Sequence, residues 1–140
     1  MDSLILLRHA QALPQTIDGN DYDRPLSNAG RLEAQRSARR LLDVGLIPDR
    51  ILASPSLRTA ETTALLLPVL GLPSTMVRYE PGLYLASVTK LKEVIARSGA
   101  GSGRLLLVGH NPGLSTLAAT LLRQRGLRLA TAEFREIVQS

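Results

Sequence analysis

The chain contains two histidines, and each ends an apolar run: "LILLRHA" closes at Arg8 and His9, and "RLLLVGHNPG" closes at His110. A guanidinium beside an imidazole suits phosphoryl groups. Arginine's planar fork matches phosphate oxygens and keeps its charge, while a neutral imidazole can attack phosphorus or donate a hydrogen bond. A third segment, "ASPSLRTAET", places Arg58 in the first turn of an expected helix. The helix dipole disfavours a cation there, and a residue that breaks a local rule marks a functional position. The competing reading of Arg58 is a surface arginine paired with Glu61 or Glu33. His110 precedes Asn-Pro-Gly at a helix start, whose free N–H groups also suit an anion.

The ligand that best explains two arginines and two histidines together is a phosphoryl group. No Gly-rich phosphate loop with its lysine is present, nor an evident carboxylate pair for magnesium. Cysteine is absent, and two histidines without suitably spaced carboxylates do not make a zinc site. The expected chemistry therefore uses no metal and no cofactor: an imidazole nucleophile, with arginines offsetting the charge that spreads in the transition state.

Positioning these residues requires strands that end together. Leu4 to Leu7, Arg50 to Ala53 and Leu105 to Val108 read as short buried strands. Helical stretches follow each. Ser27 is the expected N-cap of a helix carrying Ala34, Ala38, Leu41 and Leu42 and ending at Gly45. A second begins after Pro55, shows Leu57, Ala60, Ala64 and Leu67 on one face, and ends near Pro68. Val88, Leu91 and Ile95 mark a third. The fourth starts at Pro112 and carries an apolar stripe from Leu114 to Leu122, up to Gly126. Alternating strands and helices predict an α/β sheet covered on both faces. Ligands of such sheets lie beyond the carboxyl ends of the strands, which is where Arg8-His9, Ser54 and Gly109-His110 fall. The closing segment "LATAEFREIVQS" fits helical spacing through Ala130, Phe134, Ile137 and Val138, and strand alternation through Ala132 and Phe134.

Bulk properties narrow the partners. The 140 residues suffice for one domain, residues 1–140, with its own core. Mean hydropathy is +0.06, and no apolar run approaches the ~20 residues of a membrane span. The first residues lack the basic and apolar stretches of a signal peptide. A cysteine-free chain suits a reducing cytoplasm. The net charge of +5 favours anionic partners, but nucleic acid is not expected. The basic residues are scattered, the densest cluster (Arg36, Arg39, Arg40) lies on an expected helix, and aromatics are only 3% of the chain, too few for a stacking platform.

The segments "LLRHAQA", "RPLSNAG", "ASPSLRTAETT" and "VGHNPGL", in that order, resemble the histidine phosphatase superfamily, the phosphoglycerate-mutase-like fold, and within it the small SixA-type phosphohistidine phosphatases. The resemblance spans residues 4 to about 120. It implies a three-layer sandwich whose mostly parallel central sheet is flanked by helices, with the closing segment as a final strand. It implies that His9 is a nucleophile phosphorylated on a ring nitrogen, that Arg8 and Arg58 clamp the phosphoryl oxygens, and that His110 donates to them. Arg24, in "DRPL", matches a further phosphate-side arginine of the SixA branch. His9 should be neutral at the attacking nitrogen, its other nitrogen donating to a backbone carbonyl, with nearby arginines lowering its pKa.

Two departures from the superfamily inform the substrate. Ala10 replaces the usual glycine after the histidine, as is common in the SixA-like branch. In "YEPGLYLAS", Leu85 stands where larger members carry a general-acid glutamate. Losing a general acid costs ~10²–10⁴-fold for an alkoxide leaving group, whereas the imidazole of phosphohistidine can be protonated on its distal nitrogen beforehand. Asp21, Asp23 or Glu80 could still supply a proton. Asp21 is best placed by its spacing from Arg24, and each is otherwise a solvated loop carboxylate. Short loops after the strands leave the site open, which suits a protein-borne phosphohistidine over a small ester. The expected substrate is thus a phosphorylated, phosphotransfer-type protein. A small nucleotide or sugar phosphate is the enzymatic alternative, and an idle phosphate-binding module the non-enzymatic one.

Overall fold

The computed structural model describes residues 1–14 and 19–139. Its elements, in chain order, are β1 (Ser3–Arg8), α1 (Asn28–Asp43), β2 (Arg50–Ala53), α2 (Leu57–Leu70), β3 (Val77–Tyr79), α3 (Val88–Ser98), β4 (Arg104–Gly109), α4 (Gly113–Leu122) and β5 (Phe134–Val138). The strands form one sheet in the order β3-β2-β4-β1-β5, parallel except for β5, which runs antiparallel to β1. Each apolar run splits its side chains between the two faces, because successive residues of a strand point oppositely. Leu4, Leu6, Leu105 and Leu107 meet α3 and α4 through Leu91, Val94, Leu114 and Leu117. Ile5, Leu7, Leu106 and Val108 meet α1 and α2 through Ala38, Leu41, Leu66 and Leu70. The result is the expected three-layer sandwich, with the sheet as its middle layer.

The sheet register brings the strand ends level. Arg8 pairs with Gly109, and Val108 pairs with both Leu7 and Ala53. His9 N–H then donates to the Gly109 carbonyl at 3.1 Å, and Ser54 N–H to the Val108 carbonyl at 3.2 Å. His9, Ser54 and His110 are therefore neighbours just beyond one edge of the sheet, although up to 101 positions separate them.

The closing segment is strand β5, paired with β1 from Leu7↔Phe134 to Ser3↔Val138, as the family resemblance implies; of its two spacings the strand alternation applies. Other expectations change. Pro68 does not stop α2. The helix runs on to Leu70, whose side chain is buried with Leu66 against the sheet, and ends at Gly71 in a left-handed conformation, φ 69°. Near the end of the helix, the backbone bond lost at proline is outweighed by that burial. Similarly, α4 ends at Leu122 rather than near Gly126, because Arg123 takes a left-handed conformation (φ 54°) and returns its N–H to Ala119 and Thr120. Strand β3 has only three residues and lies at the sheet edge, too short to leave a periodic signal. The connection after β1 is not short: it spans residues 9–27, and its described part includes a 3₁₀ turn at Asp21–Asp23.

Candidate active site

Residues from four connections converge on a cavity of about 380 Å³ at the carboxyl edge of the sheet. Arg8, His9, Arg24, Arg58 and His110 all line it, with Asp21, Leu85 and Asn111 at its walls. The ring centroids of His9 and His110 are 5.3 Å apart. The two imidazoles and their arginines thus share one pocket, as the sequence predicts.

His9 is held in one tautomer. Its Nδ1 lies 2.7 Å from the Ala10 carbonyl oxygen, to which it can only donate, leaving Nε2 as a free lone pair in the neutral ring. That lone pair faces Arg58, whose Nε donates to it at 3.4 Å. Burial, assisted by the charges of Arg58, Arg8 and Arg24 and opposed by the Ala10 bond, lowers the His9 pKa to about 4. The next residue is pinned as well: Ala10 N–H donates to Thr62 Oγ1 at 3.0 Å.

His110 faces both ways. Its Nε2 is 2.8 Å from Ser54 Oγ, with the Ser56 and Thr59 hydroxyls at 3.4 Å, and its Nδ1 is 3.4 Å from Arg58 Nη2. A hydroxyl donates or accepts as required. Arginine only donates, so Nδ1 accepts from Arg58 and the neutral ring carries its proton on Nε2, which donates to Ser54 Oγ. The ring stays uncharged at neutral pH, its pKa lowered to about 3 by burial first and then by His9 and Arg58.

Arg58 is not a surface arginine. It is buried, and its partner is neither Glu61 nor Glu33. Glu61 accepts from Leu26 N–H and pairs with Arg31, and Glu33 accepts from Gln11 N–H and Thr131. Instead Arg58 Nη1 donates to the Asp21 carbonyl at 2.8 Å, and Nη2 to Asp21 Oδ2 at 3.1 Å. Arg24 Nε donates to the other carboxylate oxygen at 2.9 Å. Arg8 is anchored by Nη1 to the Leu129 carbonyl at 3.2 Å, and its buried Nε has no hydrogen-bond partner among the described residues.

The three carboxylates proposed as acids separate clearly. Tyr84 donates its phenolic hydrogen to Asp21 Oδ2. That bond, together with Arg58 and Arg24, brings the Asp21 pKa to about 2, so Asp21 is an ionised acceptor at neutral pH. Asp23 is exposed in the same turn and does not line the cavity. Glu80 is buried outside the cavity, bonded to Ser98, Arg78 and Arg97, and the Ser98 bond is the main cause of its lowered pKa.

Sequence reasoning missed Tyr84, which stands edge-on to His110 with centroids 5.4 Å apart. Its one sequence signal was its place beside Leu85. Leu85 is exposed at the rim and holds φ 49°, a strained value for a branched side chain. The loop bearing both is pressed against α4, where a Cβ on Gly113 would come within 2.1 Å of the Ala86 carbonyl oxygen. Only glycine permits that approach.

A neutral imidazole faces guanidinium groups beyond the carboxyl edge of a mostly parallel sheet, an arrangement whose chemistry can accommodate a tetrahedral oxyanion. The comparison with known proteins gives that arrangement its family. The family model of the histidine phosphatase superfamily (branch 1) matches residues 4–84, and the chain belongs to this superfamily. An uncharacterised chloroplastic protein of Arabidopsis thaliana is 32% identical over 136 residues, 91% of this chain; the chain spans 62% of that relative's length. Among solved structures, a protein of Agrobacterium tumefaciens assigned as the phosphohistidine phosphatase SixA superposes with a TM-score of 0.89 at 26% identity, covering 99% of this chain and 92% of the other. A protein histidine phosphatase SixA complexed with tungstate gives 0.81 at 26% identity, covering 93% and 83%.

Proposed function

We propose that the protein is a phosphatase that works through a phosphohistidine formed on His9 Nε2, and that its substrate is phosphohistidine carried on another protein. The observation that carries this reading is the pairing of a nucleophile deprotonated at neutral pH with a cavity in which the one lining carboxylate among the described residues, Asp21, is held ionised. In the first step the Nε2 lone pair attacks phosphorus, and the bond from phosphorus to the substrate imidazole breaks. That imidazole, protonated beforehand on its distal nitrogen, departs as a neutral ring and needs no acid from the enzyme. In the second step water attacks the phosphoryl group, the bond to Nε2 breaks with its electron pair returning to His9, and phosphate leaves carrying both of the water's protons, one of which it can release to solvent.

Arg8, Arg58 and Arg24 serve the three oxygens on which charge accumulates; once an oxyanion takes Arg58 Nη2 from His110, that ring can move its proton to Nδ1, with Ser54 donating to Nε2, and donate to the oxyanion as well. Such preplaced donors act without reorganising at the moment of reaction. The orphaned Nε of Arg8 and the match to a tungstate-complexed SixA support an oxyanion as occupant. Asp21 now holds Arg58 and Arg24 as an anion would, so an incoming phosphoryl group competes with it. The absence of cysteine supports a reducing compartment such as the cytoplasm. No described helix is long and apolar enough to cross a membrane.

Turnover of free phosphohistidine, a phosphohistidine protein and a panel of nucleotide and sugar phosphates tests the reading. The P–N substrates should be hydrolysed faster, and faster hydrolysis of a monoester would overturn the choice. His9→Ala should lose about 10⁴–10⁶-fold in kcat, the scale of removing a nucleophile, together with the acid-labile phosphate trapped on the wild type.

A further inference from the structure

The active-site cavity does not end at Asn111. A depression of about 340 Å³ shares that residue and continues over Pro112 and Ser115 to Arg128. It in turn shares Thr116, Gly126 and Leu127 with a third depression, of about 520 Å³, bounded by Arg123 and Arg125. Together they make a groove beside α4, from the catalytic edge to the far end of the helix. The ten residues of α4 rise ~15 Å, the reach of about four to five extended residues. A small phosphate ester bound at His9 cannot fill that length.

The groove's chemistry is one-sided. Between His110 and Ala132 the chain has Arg123, Arg125 and Arg128 but no aspartate or glutamate. All three arginines are exposed, and none has a carboxylate partner among the described residues. Elsewhere Arg31, Arg39, Arg78 and Arg97 each face one. The floor is apolar: Ala119 and Leu127 lie in it, and Thr116 and Thr120 turn their hydroxyls back to the Pro112 and Thr116 carbonyls, leaving their methyl groups for contact. No aromatic side chain lines any part of it, so it offers no stacking surface for bases. The field is continuous with the site, because the charge of Arg128 reaches Arg8, whose pKa burial chiefly lowers.

We infer that this groove docks an acidic stretch of the polypeptide that carries the phosphohistidine, with carboxylates on Arg123, Arg125 and Arg128 and apolar side chains on the floor between them. The inference rests on the phosphohistidine reading for its substrate, and on the groove alone for its charge.

The test uses the full chain and three chemically phosphorylated peptides with a central phosphohistidine flanked by glutamate, serine or lysine, with free phosphohistidine as the reference. The wild type should favour the glutamate-flanked over the serine-flanked peptide by about ten-fold in kcat/KM at low salt, the modest end of electrostatic steering. In Arg123→Gln/Arg125→Gln that preference should shrink toward parity. In Arg123→Glu/Arg125→Glu it should reverse toward lysine. Free phosphohistidine should be turned over at the same rate throughout, and matching melting temperatures establish that the variants fold.

A wild type indifferent to flanking charge, or a preference that survives the reversal, overturns the inference. If phosphohistidine is not hydrolysed at all, the proposed function fails, and fluorescence anisotropy with an unphosphorylated, labelled glutamate-rich peptide decides the groove separately. Salt-sensitive binding lost in Arg123→Glu/Arg125→Glu supports docking; no binding overturns it. Tighter binding of a labelled oligouridylate through the same arginines would replace the acidic polypeptide with nucleic acid.

Discussion

Two arginine–carboxylate clusters sit in this molecule with opposite burial. At the cavity, Arg58 is the buried partner, 2% exposed, and Asp21 the accessible one, 47% exposed. On the far side of Ala53, Glu80 is buried at 9%, while Arg78 and Arg97 are 66% and 56% exposed. A buried cation whose counterion lies at the surface can exchange that counterion for another anion, because the incoming group meets a desolvated guanidinium already in place. A buried carboxylate that accepts from Ser98 and two arginines is a closed arrangement, with no comparable vacancy for a ligand. The same pair of residue types therefore leaves a buried cation with an exchangeable counterion in one place and makes a closed clamp in the other.

Breaking the first cluster should cost function, and breaking the second should cost stability. Arg58→Ala should lower kcat/KM by about 10²–10³-fold, the scale of one lost oxyanion donor; loss of stability with unchanged turnover would erase the distinction. Acid should also separate the clusters. His9 and His110 bind protons more weakly in the folded chain, at about 4 and 3, than at the ordinary value near 6.5. The unfolded chain therefore takes up more protons below that value. Stability is complete above about pH 6.5 and falls as pH drops toward 4, by about 2–5 kcal/mol at pH 4.5 in denaturant titrations. The lowered carboxyl of Glu80 has the same sign in a lower window: its contribution is full above the ordinary carboxyl range and is lost as pH falls from there through its depressed folded value. A His9→Ala/His110→Ala double variant should flatten the slope between pH 6.5 and 4.5.

Glu80→Gln should reduce unfolding free energy by about 1–3 kcal/mol through a disrupted buried network, with kcat/KM for phosphohistidine unchanged. The smallest effect is expected of Asp21→Asn. Removing the resident anion should tighten binding of inorganic phosphate or tungstate by about two- to five-fold, the worth of an ion pair with one exposed partner. A drop of ~10²–10⁴-fold in monoester turnover instead would make Asp21 a general acid.

Much of the site was legible before the fold. Arg8, His9, Ser54 and His110 each end an apolar run, and strand ends converge in any sheet whose neighbours are in register. Arg58 was marked by its conflict with the helix dipole. The partners were not legible. Asp21 lies 37 positions from Arg58 and 63 from Tyr84, and no local pattern links them.

Periodicity and caps by themselves determined that β1, β2 and β4 would be strands and α1 to α4 helices, because those choices depend on neighbours within a turn or a pleat. Tertiary structure alone decided that the final segment would be a strand, since β5 is strand only where β1 offers an unpaired edge. It alone also decided that Arg58 would be buried, that Tyr84 would stand on His110, and that one carboxylate would guard the cavity while another closed a clamp. Those outcomes depend on which side chains the sheet register and helix packing bring within 3 to 6 Å of each other, and sequence spacing carries no measure of that distance.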